Sequence, residues 1–193
     1  MTSSGVIYMV GPSGVGKDSL LNWLRRHVSQ LPSRPDFYFA QRTITRGHEN
    51  SNEAHEAVGF DEFAKLAAVD AFALNWQAHG LQYGVRHSQL APGRGWVIVN
   101  GSREYTERAR ALVPGLVVLQ VSAPEAALRA RLADRGREDF EQVQARILRA
   151  QSASVALISG DLQIVNSGTL EETAQALCML IQERTGLRLV AEV

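Results

Sequence analysis

Apolar positions along the chain follow two rhythms. Short continuous runs, Val6 to Val10, Trp96 to Val99 and Leu116 to Val121, are bounded by Gly, Pro or Asn-Gly, as parallel strands buried on both faces are. Other segments carry a helical stripe: Asp18 to Val28, Pro124 to Arg135 with its Pro near the first turn, and Phe140 to Ala156. Glu171 to Arg184 does the same, with Ala174, Leu177, Cys178 and Ile181 on one face, and Gln163 to Val165 adds a last short strand. Strands alternating with helices predict a single α/β domain over residues 1–193, three layers α/β/α around a central parallel sheet, with ligands at the carboxyl ends of its strands. Two stretches stand outside the pattern, polar Gly47 to Gly59 and arginine-rich Arg131 to Arg149. They are the expected moving parts.

Composition narrows the partners. Lys plus Arg and Asp plus Glu both count 20 in 193 residues, so no overall field favours nucleic acid or an anionic membrane, and any basic site is local. Cys178 is the single cysteine, which excludes an intramolecular disulfide and fits a reducing compartment, with the cytoplasm as the expected location. Met1 to Gly5 has no cationic region, and Val6 to Val10 is too short for a signal core or a membrane span. The five histidines show no metal-ligand spacing, and Trp76 and Trp96 read as core or pocket wall. The expected partners are small molecules, without nucleic acid or membrane, bound by a monomer or a homodimer.

The chemistry enters at Gly11-Pro12-Ser13-Gly14-Val15-Gly16-Lys17. Two glycines and a lysine at this spacing, between a strand and a helix, let backbone N–H groups face phosphate oxygens while Lys17 adds a point charge. The helix that follows adds its positive dipole end. ATP with Mg²⁺ is the expected ligand of such a P-loop. Asp18 stands where these loops usually carry the Ser or Thr that coordinates the ion; a carboxylate is also a hard oxygen ligand, and Ser19 offers a hydroxyl one place later. Spacing leaves both open.

The loop, "RTITR" at 42–46, "LQYG" at 81–84, "RLADRGRED" at 131–139, "ARILRA" at 145–150 and "IVN" at 164–166 together resemble guanylate-kinase-like nucleoside monophosphate kinases over nearly the whole chain. "GPSGVGKDSLL", "HGLQYGV" and "VNGSR" resemble more closely the ribose 1,5-bisphosphate phosphokinases, which make phosphoribosyl diphosphate from ribose 1,5-bisphosphate and ATP in phosphonate breakdown. The resemblance implies a guanylate-kinase-like P-loop fold with an acceptor-binding insertion at about 37–90 and a lid at about 131–149. Guanylate kinases read guanine with a serine and a glutamate, and the resemblance puts Arg42 and Asn75 in those places. Arg42 cannot accept a hydrogen bond and Asn75 lacks the carboxylate, so guanine should bind poorly, whereas a guanidinium suits a second phosphate.

The same resemblance implies that Arg46 and Tyr83 hold the acceptor phosphate, that Arg131, Arg135, Arg137 and Arg146 close over the reacting groups, and that Asn166 lies near adenine. Asn100 stands in the region where such kinases place an aspartate to organise Mg²⁺. Asp18 and Asn100 are therefore expected to exchange the usual acidic and neutral roles around the ion. The acceptor is a phosphate with a second pKa of about 6, already largely ionised, so no general base is required. His79 in the acceptor pocket, and Glu53 and Glu56 as acceptors for ribose hydroxyls, are weighed against plain surface roles. A nucleoside monophosphate kinase of altered base preference is the alternative within enzymes. A non-catalytic scaffold of this fold is the alternative outside them, and Gly11, Gly16 and Lys17 argue against it.

Overall fold

A computed structural model describes residues 4–33, 35–46, 55–90, 93, 95–134 and 155–190. Five strands form a wholly parallel sheet: β1 (Gly5–Val10), β2 (Phe37–Phe39), β7 (Trp96–Asn100), β8 (Val117–Ser122) and β9 (Leu162–Val165), in the order β2-β7-β1-β8-β9. The three longest apolar runs are thus the three central strands. Their continuity has a plain cause: alternate residues face opposite sides, and both sides are covered. Ile7 and Met9 of β1 point with Ile98 and Leu119 into one core, completed by Leu20 and Leu24 of α1 (Lys17–Gln30) and by Leu177 and Ile181 of the C-terminal helix. Tyr8 and Val10 point with Val97, Val99 and Val118 into a second core on the other face.

That second core is closed by α3 (Thr106–Leu112) and by a small mixed sheet, made of β3 (Arg42–Ile44), β4 (His55–Ala57), β5 (Phe72–Ala78) and β6 (Leu81–Arg86) in the order β4-β3-β6-β5. The outer face of this sheet carries α2 (Phe60–Ala68), whose Phe63 stacks on Phe72 at 4.6 Å between ring centres. The insertion expected from about residue 37 therefore begins later. Phe37–Phe39 pairs with Trp96 to Ile98 as the edge of the main sheet, and the second sheet starts at Arg42.

Helix α4 (Glu125–Asp134) matches the helix expected from Pro124. The helix expected over Phe140 to Ala156 lies outside the described residues but for Val155 and Ala156, which are not helical, and the polar stretch from Gly47 is described only from His55, where β4 begins. The C-terminal helix α5 (Leu170–Thr185) starts in a reciprocal cap: Thr169 Oγ1 accepts from the Glu172 N–H, and Glu172 accepts from the Thr169 N–H. Helix α1 instead starts at Gly16 in the left-handed region, with no side-chain cap. A helix start of this kind suits an anion, which the first N–H groups of a helix can bind.

Asp161 ties β8, β9 and α3 together. Its carboxylate accepts from Arg110 Nη1 and Nη2 at 3.2 and 2.6 Å, and from the N–H groups of Val118 and Ile158 at 2.9 and 2.8 Å. Burial pushes this carboxyl upward, and the Arg110 and backbone bonds outweigh it and hold the group below its ordinary value of 3.8. The sign follows: the stabilisation is complete above that ordinary value and is lost as pH falls through the lower folded value. With the Asp161 side chain only 3% exposed, Asp161→Asn should cost about 3 kcal/mol, read as a lower urea midpoint at neutral pH with the difference shrinking in acid. An unchanged midpoint would show that the pair adds nothing.

Candidate active site

The carboxyl ends of β1 and β7 lie side by side, Met9 against Asn100, and the phosphate loop leaves from the first of them. Gly11 has no room for a side chain, since a Cβ would press on the Val121 carbonyl of β8. Gly16 sits at φ 96°, which a side chain would strain, and Lys17 follows as the first helical residue. Lys17 Nζ donates to the carbonyls of Gly11 and Pro12 at 2.7 and 3.2 Å, so the ammonium lies across the loop that it should serve.

Asp18 and Asn100 meet directly. The Asn100 amide, in a residue 4% exposed, donates from Nδ2 to Asp18 Oδ1 at 2.8 Å. Asp18 and Ser19 are both exposed at the helix start, so a carboxylate and a hydroxyl face solvent at the mouth of the loop. Such a donor set suits a hard divalent cation completed by phosphate oxygens and water. Among the described residues no group of three His, Cys, Asp or Glu could cage a metal.

On the other side of Asn100 stands the small sheet. Arg42 Nη1 donates to the Asn100 carbonyl at 3.1 Å, and the Arg42 guanidinium lies 5.1 Å from the centre of the Tyr83 ring. Arg46 Nη2 donates to the Tyr83 hydroxyl at 3.3 Å. Two guanidiniums therefore share one tyrosine, one at its face and one at its hydroxyl. Tyr83 is backed by Trp76, stacked at 5.5 Å and 4° between planes. Arg42 of β3, Arg46 just past its end and Tyr83 of β6 are thus brought together.

Asn75 does not join them. It pairs with Gly84, whereas Leu74 pairs with Val85 and Trp76 with Tyr83; the exposed Asn75 lies on the opposite face of β5, and its N–H donates to the Tyr105 hydroxyl at 3.4 Å. The face of β5 that Tyr83 shares carries Leu74, fully buried, and Trp76. The correction is one of strand parity: neighbours on a strand face opposite ways. The alternation Leu74, Trp76 against Asn75, Gln77 was the signal in the sequence that pointed to it.

Glu56 is engaged within the small sheet. Its carboxylate accepts from Thr43 Oγ1 at 2.6 Å and from Arg86 Nε and Nη2 at 2.9 and 2.6 Å, on the far side of β3 from Arg42. It braces the sheet; Arg86, first among its partners, holds its carboxyl below the ordinary range. His55, buried at 3% exposure, sits 3.1 Å from the Arg46 carbonyl through Nε2 and fixes the end of β3. His79 lies exposed in the β5–β6 turn at φ 52°.

Asn166 is 4% exposed and turned toward the loop: Nδ2 donates to the Val15 carbonyl at 2.8 Å and Oδ1 accepts from Thr173 Oγ1 at 3.1 Å. Among the lid arginines, Arg131 belongs to α4, while Arg135, Arg137 and Arg146 fall outside the described residues, as does Glu53.

The comparisons with known proteins follow this geometry. No family model matches the chain. Over 188 residues it is 39% identical to a ribose 1,5-bisphosphate phosphokinase PhnN of Burkholderia mallei, covering 94% of this chain and 97% of that one. It is 41% identical over 184 residues to a protein of the same name from Janthinobacterium, where the match covers 94% of this chain but only 40% of the longer relative. In structure it is similar to a guanylate kinase of Anaplasma phagocytophilum, with a TM-score of 0.63 at 16% identity over 97% of this chain and 89% of the other. That likeness concerns the fold, a P-loop kinase-like α/β architecture around a central parallel sheet.

Proposed function

The chain belongs to the ribose 1,5-bisphosphate phosphokinase family, and on that premise we propose that it transfers the γ-phosphoryl group of ATP to ribose 1,5-bisphosphate, in phosphonate catabolism. An oxygen of the 1-phosphate attacks the γ-phosphorus, the bond from that phosphorus to the β–γ bridging oxygen breaks, and ADP leaves with its electron pair. The product is 5-phospho-α-D-ribose 1-diphosphate. One observation carries the acceptor assignment: two arginines are seated on one tyrosine at the junction with the phosphate loop, with Trp76 stacked behind that tyrosine. A bisphosphate has two dianions for two guanidiniums, and a guanidinium has no acceptor for the N–H groups of a guanine edge.

In this reading Gly11 to Gly16 cradle the donor phosphates with their N–H groups, and Lys17 leaves the loop carbonyls for the β- and γ-phosphates. Arg46 with Tyr83 holds the 1-phosphate and Arg42 the 5-phosphate. Asp18 with Ser19 and the nucleotide would hold Mg²⁺, which would supply charge neutralisation at the phosphates. Asn100 fixes the Asp18 carboxylate through its amide and receives Arg42 on its carbonyl, so it places both ends of the reaction relative to each other. Arg131, Arg135 and Arg146 close over the transferring group and exclude water. The location is the cytoplasm.

The test is steady-state transfer from Mg-ATP to ribose 1,5-bisphosphate and, side by side, to GMP, AMP and ribose 5-phosphate. Phosphoribosyl diphosphate formation with little turnover of the others is expected. A clear preference for GMP would instead mark a divergent guanylate kinase and overturn the Arg42 assignment.

A further inference from the structure

The buried amide of Asn166 lies between the two segments that a nucleotide site must keep in register. Its own N–H donates to the Ser122 carbonyl at 2.7 Å, which fixes the residue at the end of β9 beside β8. Its side chain then joins Val15 O, in the phosphate loop, to Thr173 Oγ1, in α5. Thr173 is 5% exposed and sits one turn into α5, just past the reciprocal cap of Thr169 and Glu172 that fixes that helix start. The contact is tight: a Cβ on Gly16 would come within 2.6 Å of Asn166 Nδ2.

The Val15 carbonyl and the Gly16 N–H belong to one planar trans peptide and point opposite ways. Holding the carbonyl on Asn166 therefore turns the Gly16 N–H away from Asn166, to the side where the loop surrounds its ligand. An Asn that read adenine would need its amide edge open to the base, whereas this edge is buried on the loop backbone.

We propose that Asn166 is a positioning residue that sets the Val15–Gly16 peptide for phosphate binding and does not read the base; the proposal rests on the reading of the loop as the ATP site. Asp at this position keeps the acceptor for Thr173, removes the donor to Val15 and sets a carboxylate against a carbonyl. Binding of Mg-ATP, Mg-GTP and inorganic tripolyphosphate is measured by calorimetry on the wild-type chain and on Asn166→Asp, with melting temperatures alongside. The expected result is a similar loss for all three ligands, about tenfold to hundredfold, with the ATP to GTP ratio unchanged. Thr173→Val, which frees the amide without touching the loop, should give a smaller loss of the same uniform kind, and serves if Asn166→Asp does not fold.

Weakened ATP with unchanged tripolyphosphate, or a collapsed ATP to GTP ratio, would overturn the proposal in favour of base reading. A lower melting temperature with phosphate affinity intact would reduce Asn166 to a structural residue and overturn it equally. Failure of the wild-type chain to bind any of the three would remove the donor reading beneath it, a separate outcome from either.

Discussion

Lys17→Ala should lower kcat/KM for phosphoryl transfer by about 10³-fold while leaving the melting temperature nearly unchanged. The magnitude follows from what a fixed cation does in a site walled from water. Charge on the phosphoryl oxygens and the leaving bridge oxygen must be met by groups already in place, and removal of one such group costs about 2.7 to 4 kcal/mol in comparable sites. Lys17 is already held at the loop, bonded to the Gly11 and Pro12 carbonyls, so little reorganisation separates its present position from the phosphates. Lys17→Arg should be nearly as damaging, because a planar fork does not fit where a compact ammonium lies between two carbonyls. Steady-state and single-turnover rates on both variants are the check. Activity within tenfold of wild type would remove the loop as the donor site.

Arg42→Ser should raise KM for ribose 1,5-bisphosphate by roughly 30- to 150-fold, equivalent to about 2 to 3 kcal/mol of lost charge-assisted hydrogen bonding. The side chain is held in advance by the Asn100 carbonyl and the Tyr83 ring, so a 5-phosphate would meet a guanidinium that has already lost its rotamer freedom. KM for ATP should change little. Arg42→Lys should fall between, retaining the charge and losing the fork and the stacking. Serine at this position should not confer use of GMP, because Leu74 and Trp76 still present no acceptor for the guanine N–H groups. An unchanged acceptor KM, or rapid GMP turnover by Arg42→Ser, would place the 5-phosphate elsewhere.

Most of the main sheet was legible in the chain because its physics is local. Ile7, Tyr8 and Met9 are all apolar since both faces of β1 are buried, and that forces a continuous run which periodicity detects. The phosphate loop was legible for a related reason: a cradle of N–H groups demands glycines at fixed places. The small sheet was not, because β3 and β4 have three residues each, too few for a period, and β4 pairs with β3 in parallel across a polar stretch. The placing of Asn75 on the face of β5 opposite to Tyr83 has the same root. A motif fixes a neighbourhood to within a residue, and on a strand one residue is the difference between two faces. The Asn166 link escaped because it joins positions 151 apart, a contact that no spacing records.

In the proposed reading, the aromatic backing of the acceptor site and the second core are the same residues. Trp76 stacks on Tyr83 and on Tyr105, meets Tyr8 edge-on, and is 8% exposed among Leu74, Val85, Val97 and Val99. A change of acceptor that needed a wider pocket would have to thin this cluster, and truncating such a tryptophan costs about 3 to 5 kcal/mol out of a typical total of about 5 to 15. Selection for a new substrate and selection for a folded chain therefore act on one set of side chains. Divergence in this family has an open road through the polar arginines at the rim and a closed one through the aromatic wall, so drift should alter how tightly a bisphosphate is gripped long before it admits a nucleobase.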